Sequence, residues 1–256
     1  MTKKKHIQSE SLAEIAIDPD VLAKELAVEL EMDPLEEIDN DSFSKENLNI
    51  TSECDEALKL LKGEREQRIQ GLRIFCEYRD KRSFPLLLPL LDQPCPVERM
   101  SAVYALGRNP CPDAVQKLVN LLETDDNAYV RRATAWSLAN YDNQIVLKPL
   151  INALKKDVAA VRLWSSSSLA EIGSISPSNA ELAAEQLLIS LRIDNEPGVR
   201  SNCIWSLCRL FEKLNNIFQE SFVDECTKIA LFDKEPSVME EAKTALDSMG
   251  MQSFYN

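Results

Sequence analysis

Apolar positions along the chain repeat on two scales, and the shorter one is helical. A stretch reading Val-Arg, then small residues, then Leu recurs four times with small changes. It appears as Glu98-Arg99 with Ala102, Ala105 and Leu106, and as Val130-Arg131 with Thr134, Ser137 and Leu138. It returns as Val161-Arg162 with Ser165, Ser168 and Leu169, and as Val199-Arg200 with Cys203, Ser206 and Leu207. A later copy, Val238-Met239 with Ala242, Ala245 and Leu246, lacks the Arg, and a degenerate first copy falls within 68–75. Counting the Val position as zero, positions zero, four, seven and eight lie on one stripe of a 3.6-residue helix. Small residues at four and seven let a neighbouring helix come close, and Leu at eight fills the core. The longer scale is the spacing of those leucines, 32, 31, 38 and 39 residues. Ahead of each copy lies another apolar helical pattern, over 84–91, 114–122, 146–154, 182–191 and 222–231. Each repeat is therefore predicted to be two antiparallel helices. Neither can bury its apolar face alone, so the pairs must stack.

Acidic residues precede each Arg: Asp92 before Arg99, Asp125 and Asp126 before Arg131, Asp157 before Arg162, and Asp194 before Arg200. This predicts a ladder of ion pairs or helix caps at the turns inside the repeats, built by Arg99, Arg131, Arg162 and Arg200. An insertion over 173–179 lengthens the step before the Val199 copy.

The Asp…Val-Arg…Ala…Ala-Leu motif resembles the short HEAT repeats of phycobilisome-lyase-like proteins of cyanobacteria, over about residues 54–250. It departs from that pattern at Glu98, where Val is expected, and at Met239, where Arg is expected. The resemblance implies an all-α, right-handed α-solenoid of five to six HEAT-like helix pairs over 54–256, with the second helices on its concave face. Position six of those helices reads Tyr104, Trp136, Ser167 and Trp205. Arg132 and Arg209 fall on the same side, and Arg108 sits at a helix end. Trp, Tyr and Arg dominate binding hot spots, so this column suits a groove that grips another protein. The alternative is that the rings cement neighbouring helices. Trp164, at position three, is read as structural, while Met100 and Leu163 at position two add apolar surface to a groove.

Two functional readings follow. The first is a non-enzymatic scaffold or chaperone-like adaptor, without a cofactor, holding a protein in the groove. The resemblance implies the second: a subunit of a phycobilin lyase-type factor that attaches or removes bilins on light-harvesting proteins. There the rings stack a bilin and Arg132 or Arg209 pairs with its propionates. The resemblance also implies a possible role as partner of an iron–sulfur carrier.

Composition narrows the chemistry. Six Gly residues with no GxG pair exclude Gly-rich phosphate loops, and the single His, His6, excludes Ser-His, Cys-His and His-metal centres. No catalytic residue is expected. The seven Cys contain no CxxC. Cys203 falls at core position four, where a thiol acts as a small hydrophobe. Cys95 and Cys111 sit in Pro-Cys-Pro turns, and Cys76 is expected to neighbour Cys111 across repeats. Cys76, Cys111 and Cys208 supply at most two ligands to a cluster that a partner completes, so no resident metal site is expected. The chain shows no export signal and no run long enough to span a bilayer, and its cysteine count is odd, which together predict a cytoplasmic protein.

The net charge of −13 is uneven. Residues 1–56 carry 16 acidic and 5 basic side chains, whereas 57–256 carry 26 and 24. A near-neutral body argues against nucleic acid as a partner. Residues 1–53 lack the repeat and are expected to form an acidic, largely disordered arm. Within it, 11–32 has helical spacing broken by Pro19. It predicts a short amphipathic helix that docks on a partner or folds back on the Arg-bearing face.

Overall fold

The computed structural model describes residues 46–251, and over that span the chain is all α, with twelve α-helices, short 3-10 turns and, among the described residues, no strand. The helices pair in chain order. α1 (Glu46–Leu60) precedes α2 (Arg65–Glu77), and α3 (Phe84–Leu87), framed by 3-10 turns Lys81–Ser83 and Leu88–Asp92, precedes α4 (Pro96–Arg108). Next come α5 (Val115–Thr124) with α6 (Ala128–Leu138), and α7 (Leu147–Lys156) with α8 (Ala159–Gly173). The last pairs are α9 (Pro177–Ile193) with α10 (Pro197–Leu210), and α11 (Asn216–Phe232) with α12 (Pro236–Ser248). The α1 helix begins ahead of residue 54, inside the stretch expected to be arm. The rest of that expected arm, including 11–32, lies outside the described residues.

The heptad-like stripe builds the core as its spacing predicts. Val130, Val161, Val199 and Val238 at position zero are buried, as is every residue at positions four, seven and eight in all five copies. Two of the three serines at position seven bond the neighbouring second helix, whereas the buried Ser137 hydroxyl has no hydrogen-bond partner. Ser168 Oγ donates to the Ala135 carbonyl and Ser206 Oγ to the Ser166 carbonyl, both at 2.8 Å. Successive second helices, α2, α4, α6, α8, α10 and α12, pack against one another more extensively than successive first helices do. The small side chains at four and seven allow that approach.

Two sequence features took a different form. Pro85 and Pro89 remove backbone donors from 84–91, so this segment is one turn of α-helix between two 3-10 turns rather than a continuous helix. The longer repeats do not carry a longer loop. Their excess length lies in α9 and α11, 17 residues each, against 10 for α5 and for α7.

The arginine ladder is present, but its partners differ from those expected. Arg99 forks onto Asp125 at 2.7 and 2.9 Å, Arg131 onto Asp157 at 2.8 and 2.7 Å, Arg162 onto Asp194 at 2.7 and 2.7 Å, and Arg200 onto Asp233 at 3.0 and 2.6 Å. Each carboxylate belongs to the turn of the next repeat. The Arg meets its own turn through the backbone: Nη1 of Arg99, Arg131, Arg162 and Arg200 donates to the carbonyls of Gln93, Asp125, Asp157 and Asp194. The Asp side chain is meanwhile engaged in shaping that turn. Oδ1 of Asp125, Asp194 and Asp233 accepts the backbone N–H two residues on. One guanidinium thus clamps two repeats.

Glu98 is explained by the same geometry. In the second repeat Gln93 occupies the ladder's acidic position and Asp92 pairs instead with Lys117 on the surface. Arg68 of the degenerate copy forks onto Glu98 at 2.8 and 2.7 Å, so the buried acid stands in for the missing Asp. Met239 ends the ladder at Asp233.

Candidate binding face

The residues singled out at position six lie on the second-helix layer and divide into two groups. Tyr104 on α4 and Trp136 on α6 are half-buried, and their ring centroids stand 5.3 Å apart, tilted by 53°. Two arginines frame this pair. The Arg108 guanidinium carbon lies 6.0 Å from the centre of the Trp136 ring, and Arg132 Nη2 reaches the Tyr104 hydroxyl at 3.4 Å. Arg132 also covers the Tyr129 ring at 5.8 Å. Tyr129, 40% exposed, was not among the residues expected on this face. Its i, i+3, i+7 spacing with Arg132 and Trp136 puts it on one stripe of α6 and is the signal that finds it.

Trp136 also has a structural share. Its ring lies over Gly107, where an added Cβ would come within 2.5 Å of Cζ3. A Gly at this point of α4 is what leaves room for the indole. Trp205 on α10 stands apart from this cluster. It is 39% exposed, with the Arg209 guanidinium 5.1 Å from its ring centre and Arg209 bonded to Glu171 at 2.8 Å. Between the two groups Ser167 is bonded by Asn202 rather than carrying a ring. The position-six column thus consists of a tight ring cluster on α4 and α6 and a separate ring on α10. Met100, Leu163 and Trp164 pack as partly buried residues against the core.

The cysteines divide by environment. All seven are free. Burial pushes the Cys76 thiol up to about 11 and that of Cys208 up to about 12, and raises those of Cys203 and Cys226 further. Cys76 Sγ lies against the Ser101 carbonyl at 3.8 Å. Cys95 is the exception. The Glu98 backbone N–H at the start of α4, with Val97 N–H and the Arg65 guanidinium, holds its thiol below the usual range, with Arg65 Nη2 3.2 Å from Sγ. Among the described residues no group of three or more His, Cys, Asp or Glu is placed to hold a metal ion. No described helix is long and apolar enough to cross a membrane.

Two clefts, of about 360 and 420 Å³, open beside the ladder. One lies by Arg200, Asp233, Ile193 and Phe232, the other by Arg131, Asp157 and Pro149.

A stack of helix pairs clamped by an Arg–Asp ladder defines an α-solenoid repeat protein. The chain belongs to the HEAT-repeat family, whose pattern matches residues 55–139 and 115–208. A comparison with curated proteins finds no match. Among solved structures, the chain is similar to a designed armadillo repeat protein in complex with peptide (KR)4, at 20% identity and a TM-score of 0.51, covering 84% of this chain and 96% of that one. It is also similar to Kap95 in a Kap95:Nup1 complex, at 16% identity and a TM-score of 0.57, covering 91% of this chain and 33% of that one. At these identities the likeness is one of fold.

Proposed function

We propose that this protein is a binding scaffold that holds a segment of another protein on its second-helix face. Tyr104, Trp136 and Trp205 are the anchors, and Arg108, Arg132 and Arg209 flank them. The observation that carries the reading is the half-exposed Tyr104–Trp136 ring pair framed by Arg108 and Arg132 on adjacent helices. Aromatic rings held rigid by their neighbours offer contact area at little entropic cost, and guanidinium groups add directional donors. The fold neighbours lend support, since two of them are named as complexes with a peptide and with Nup1. A reducing, cytoplasmic setting suits seven free thiols. The lyase-type and iron–sulfur readings rest on the motif's resemblance alone.

Site-specific photo-crosslinking tests the proposal. A photoreactive phenylalanine analogue replaces Tyr104 or Trp205 in one pair of variants, and exposed Ile145 on the first-helix side in a control. In host extract, the inner positions should yield one shared crosslinked protein that the control does not. Equal yields from all three sites would overturn the reading.

A further inference from the structure

The first-helix layer changes character along the stack. On α5 the outward stripe reads Gln116, Asn120 and Glu123, and on α7 it reads Lys148, Asn152 and Lys155, all polar. On α9 and α11 the same face carries large apolar side chains. Leu182, Ile189 and Ile193 are exposed on α9, and Ile217, Leu231 and Phe232 on α11. Ile193 is 72% exposed and Phe232 79%. The positions just before the ladder acids Asp125 and Asp157 hold Thr124 and Lys156, whereas those before Asp194 and Asp233 hold Ile193 and Phe232. One exposed apolar side chain needs no explanation, but six on two adjacent helices mark a contact surface.

Charge is graded across the same layer. α9 packs between α7 and α11. The ladder keeps their C-terminal ends level, Arg162 joining the Asp157 and Asp194 turns and Arg200 the Asp194 and Asp233 turns. Near the N-terminal ends Asn215 donates to Glu181 at 2.7 Å, so α9 and α11 run side by side in one direction. α7 carries Lys148, Lys155 and Lys156 and no acid. α9 carries Glu181 and Glu185 against Arg192, and α11 carries Glu220, Asp224 and Glu225 against Lys228. Within the chain Arg192 bonds Glu225 at 2.8 Å and Lys228 approaches Asp224 at 3.3 Å. Over the three helices acids and bases balance, five of each, with the bases concentrated at the α7 edge and the acids at the α11 edge. The turns at their ends add Asp142, Glu196, Glu212 and Glu235 against Lys213 and Lys234, beyond the outward stripes.

We infer that this face is where two copies of the chain meet, related by a two-fold axis through α9 that sets the lysines of α7 on the acids of the other copy's α11. A two-fold contact buries the same patch on both copies, so each edge must find its complement within that patch. Half a turn about an axis normal to the face exchanges the α7 and α11 edges and reverses the helix direction. Lys155 and Lys156 at the end of one α7 then meet Glu220 and Asp224 in the first half of the other copy's α11. On the axis, the Leu182 end of one α9 meets the Ile193 end of the other. A partner of a single charge would match only one edge, and the acids of α11 oppose an anionic membrane surface. At ~1.5 Å per residue and ~10 Å across each helix, the three helices present roughly 650 Å² a copy. That falls a little below the ~800 Å² per partner of a standard stable interface, so the expected dimer is a reversible one. The inference goes beyond the binding reading above, and it leaves the second-helix face of each copy outside the contact.

Sedimentation velocity of the full chain between ~1 and ~100 µM tests it, the dimer fraction rising with concentration. Ile193→Glu with Phe232→Glu alters only exposed side chains. It should weaken dimerisation about tenfold or more while circular dichroism shows the helicity retained. Lys155→Glu with Lys156→Glu in one variant, and Glu220→Lys with Asp224→Lys in another, should each be monomeric alone, because both edges of such a chain then carry one sign. An equimolar mixture of these two variants should dimerise again, since every edge regains its opposite. That recovery also separates a lost contact from a failure to fold. A chain that stays monomeric at every concentration overturns the proposal and leaves the face to a different protein. A dimer indifferent to Ile193→Glu with Phe232→Glu overturns it as well, as does a mixture of the two charge variants that stays monomeric with its helicity intact.

Discussion

Arg131 of the third repeat holds Asp157 of the fourth through two parallel hydrogen bonds of 2.8 and 2.7 Å, while its remaining nitrogen donates to the Asp125 carbonyl of its own turn at 2.8 Å. The guanidinium fork suits this double duty because its donors are coplanar and always charged. Arg131 and Asp157 are 17% and 12% exposed, well shielded compared with an ordinary surface pair. Arg131→Met leaves a half-buried carboxylate without its cation. It should cost about 2 kcal/mol, more than a surface pair and less than a fully buried one. Arg82→Met, which breaks exposed bonds to Asp80 and Asp55, should cost much less. Urea unfolding of both variants checks the contrast, and equal losses would refute the ladder's special role.

Acid should attack the same ladder. Burial raises the Asp233 carboxyl, but hydrogen bonds from Arg200 and the Glu235 N–H outweigh it and hold the carboxyl below its ordinary value of 3.8. A depressed carboxylate contributes stability that is present above the unfolded value and lost as pH falls through the folded one. Below about pH 4, wild type should therefore lose stability faster than Asp233→Asn, so the gap between their melting temperatures narrows. Thermal melts between pH 7 and pH 2 read this directly. A gap independent of pH would contradict it.

Gly107→Ala probes how Trp136 is seated. The added methyl meets the indole at 2.5 Å and Ser137 Oγ at 3.1 Å, so the ring must move although alanine is the better helix former. A loss of about 1–3 kcal/mol is expected, together with a red-shifted tryptophan emission as the ring enters water. Stabilisation instead would show that the ring does not rely on this glycine.

Thiol reactivity should single out Cys95. It lies at the start of α4 beside Arg65, where backbone N–H groups and the guanidinium favour thiolate, whereas burial suppresses ionisation at Cys76, Cys203, Cys208 and Cys226. Under native conditions near pH 7.5, iodoacetamide should label one site in a fast phase that Cys95→Ser removes. Arg65→Gln should slow that phase several-fold. Persistence of the fast phase in Cys95→Ser would place the reactive thiol elsewhere.

The repeat was legible in the sequence because a stacked helix must place the same kinds of side chain at the same angles in every copy. Ala102, Thr134, Ser165, Cys203 and Ala242 differ in chemistry but share one small volume at one angle, and all are buried. The cation–aromatic face was legible only as a list of outward positions. The pattern set Tyr104, Trp136, Ser167 and Trp205 in one column and put Tyr129 on the Trp136 stripe, but contained nothing to say which of these rings and arginines would meet.

What the amino-acid sequence determined alone is therefore periodic and local: helix pairs, their small-residue seam, and an arginine in four of the five copies. What the tertiary structure decided is which residues of different repeats meet. Arg99 reaches past Asp92 to Asp125, and Arg68 takes Glu98, because the rotation and rise between repeats bring those carboxylates within reach of the arginine stem. That offset is a sum of many packing contacts between helices and is written at no single position. The same offset sets the Tyr104 ring 5.3 Å from Trp136, 32 residues along the chain.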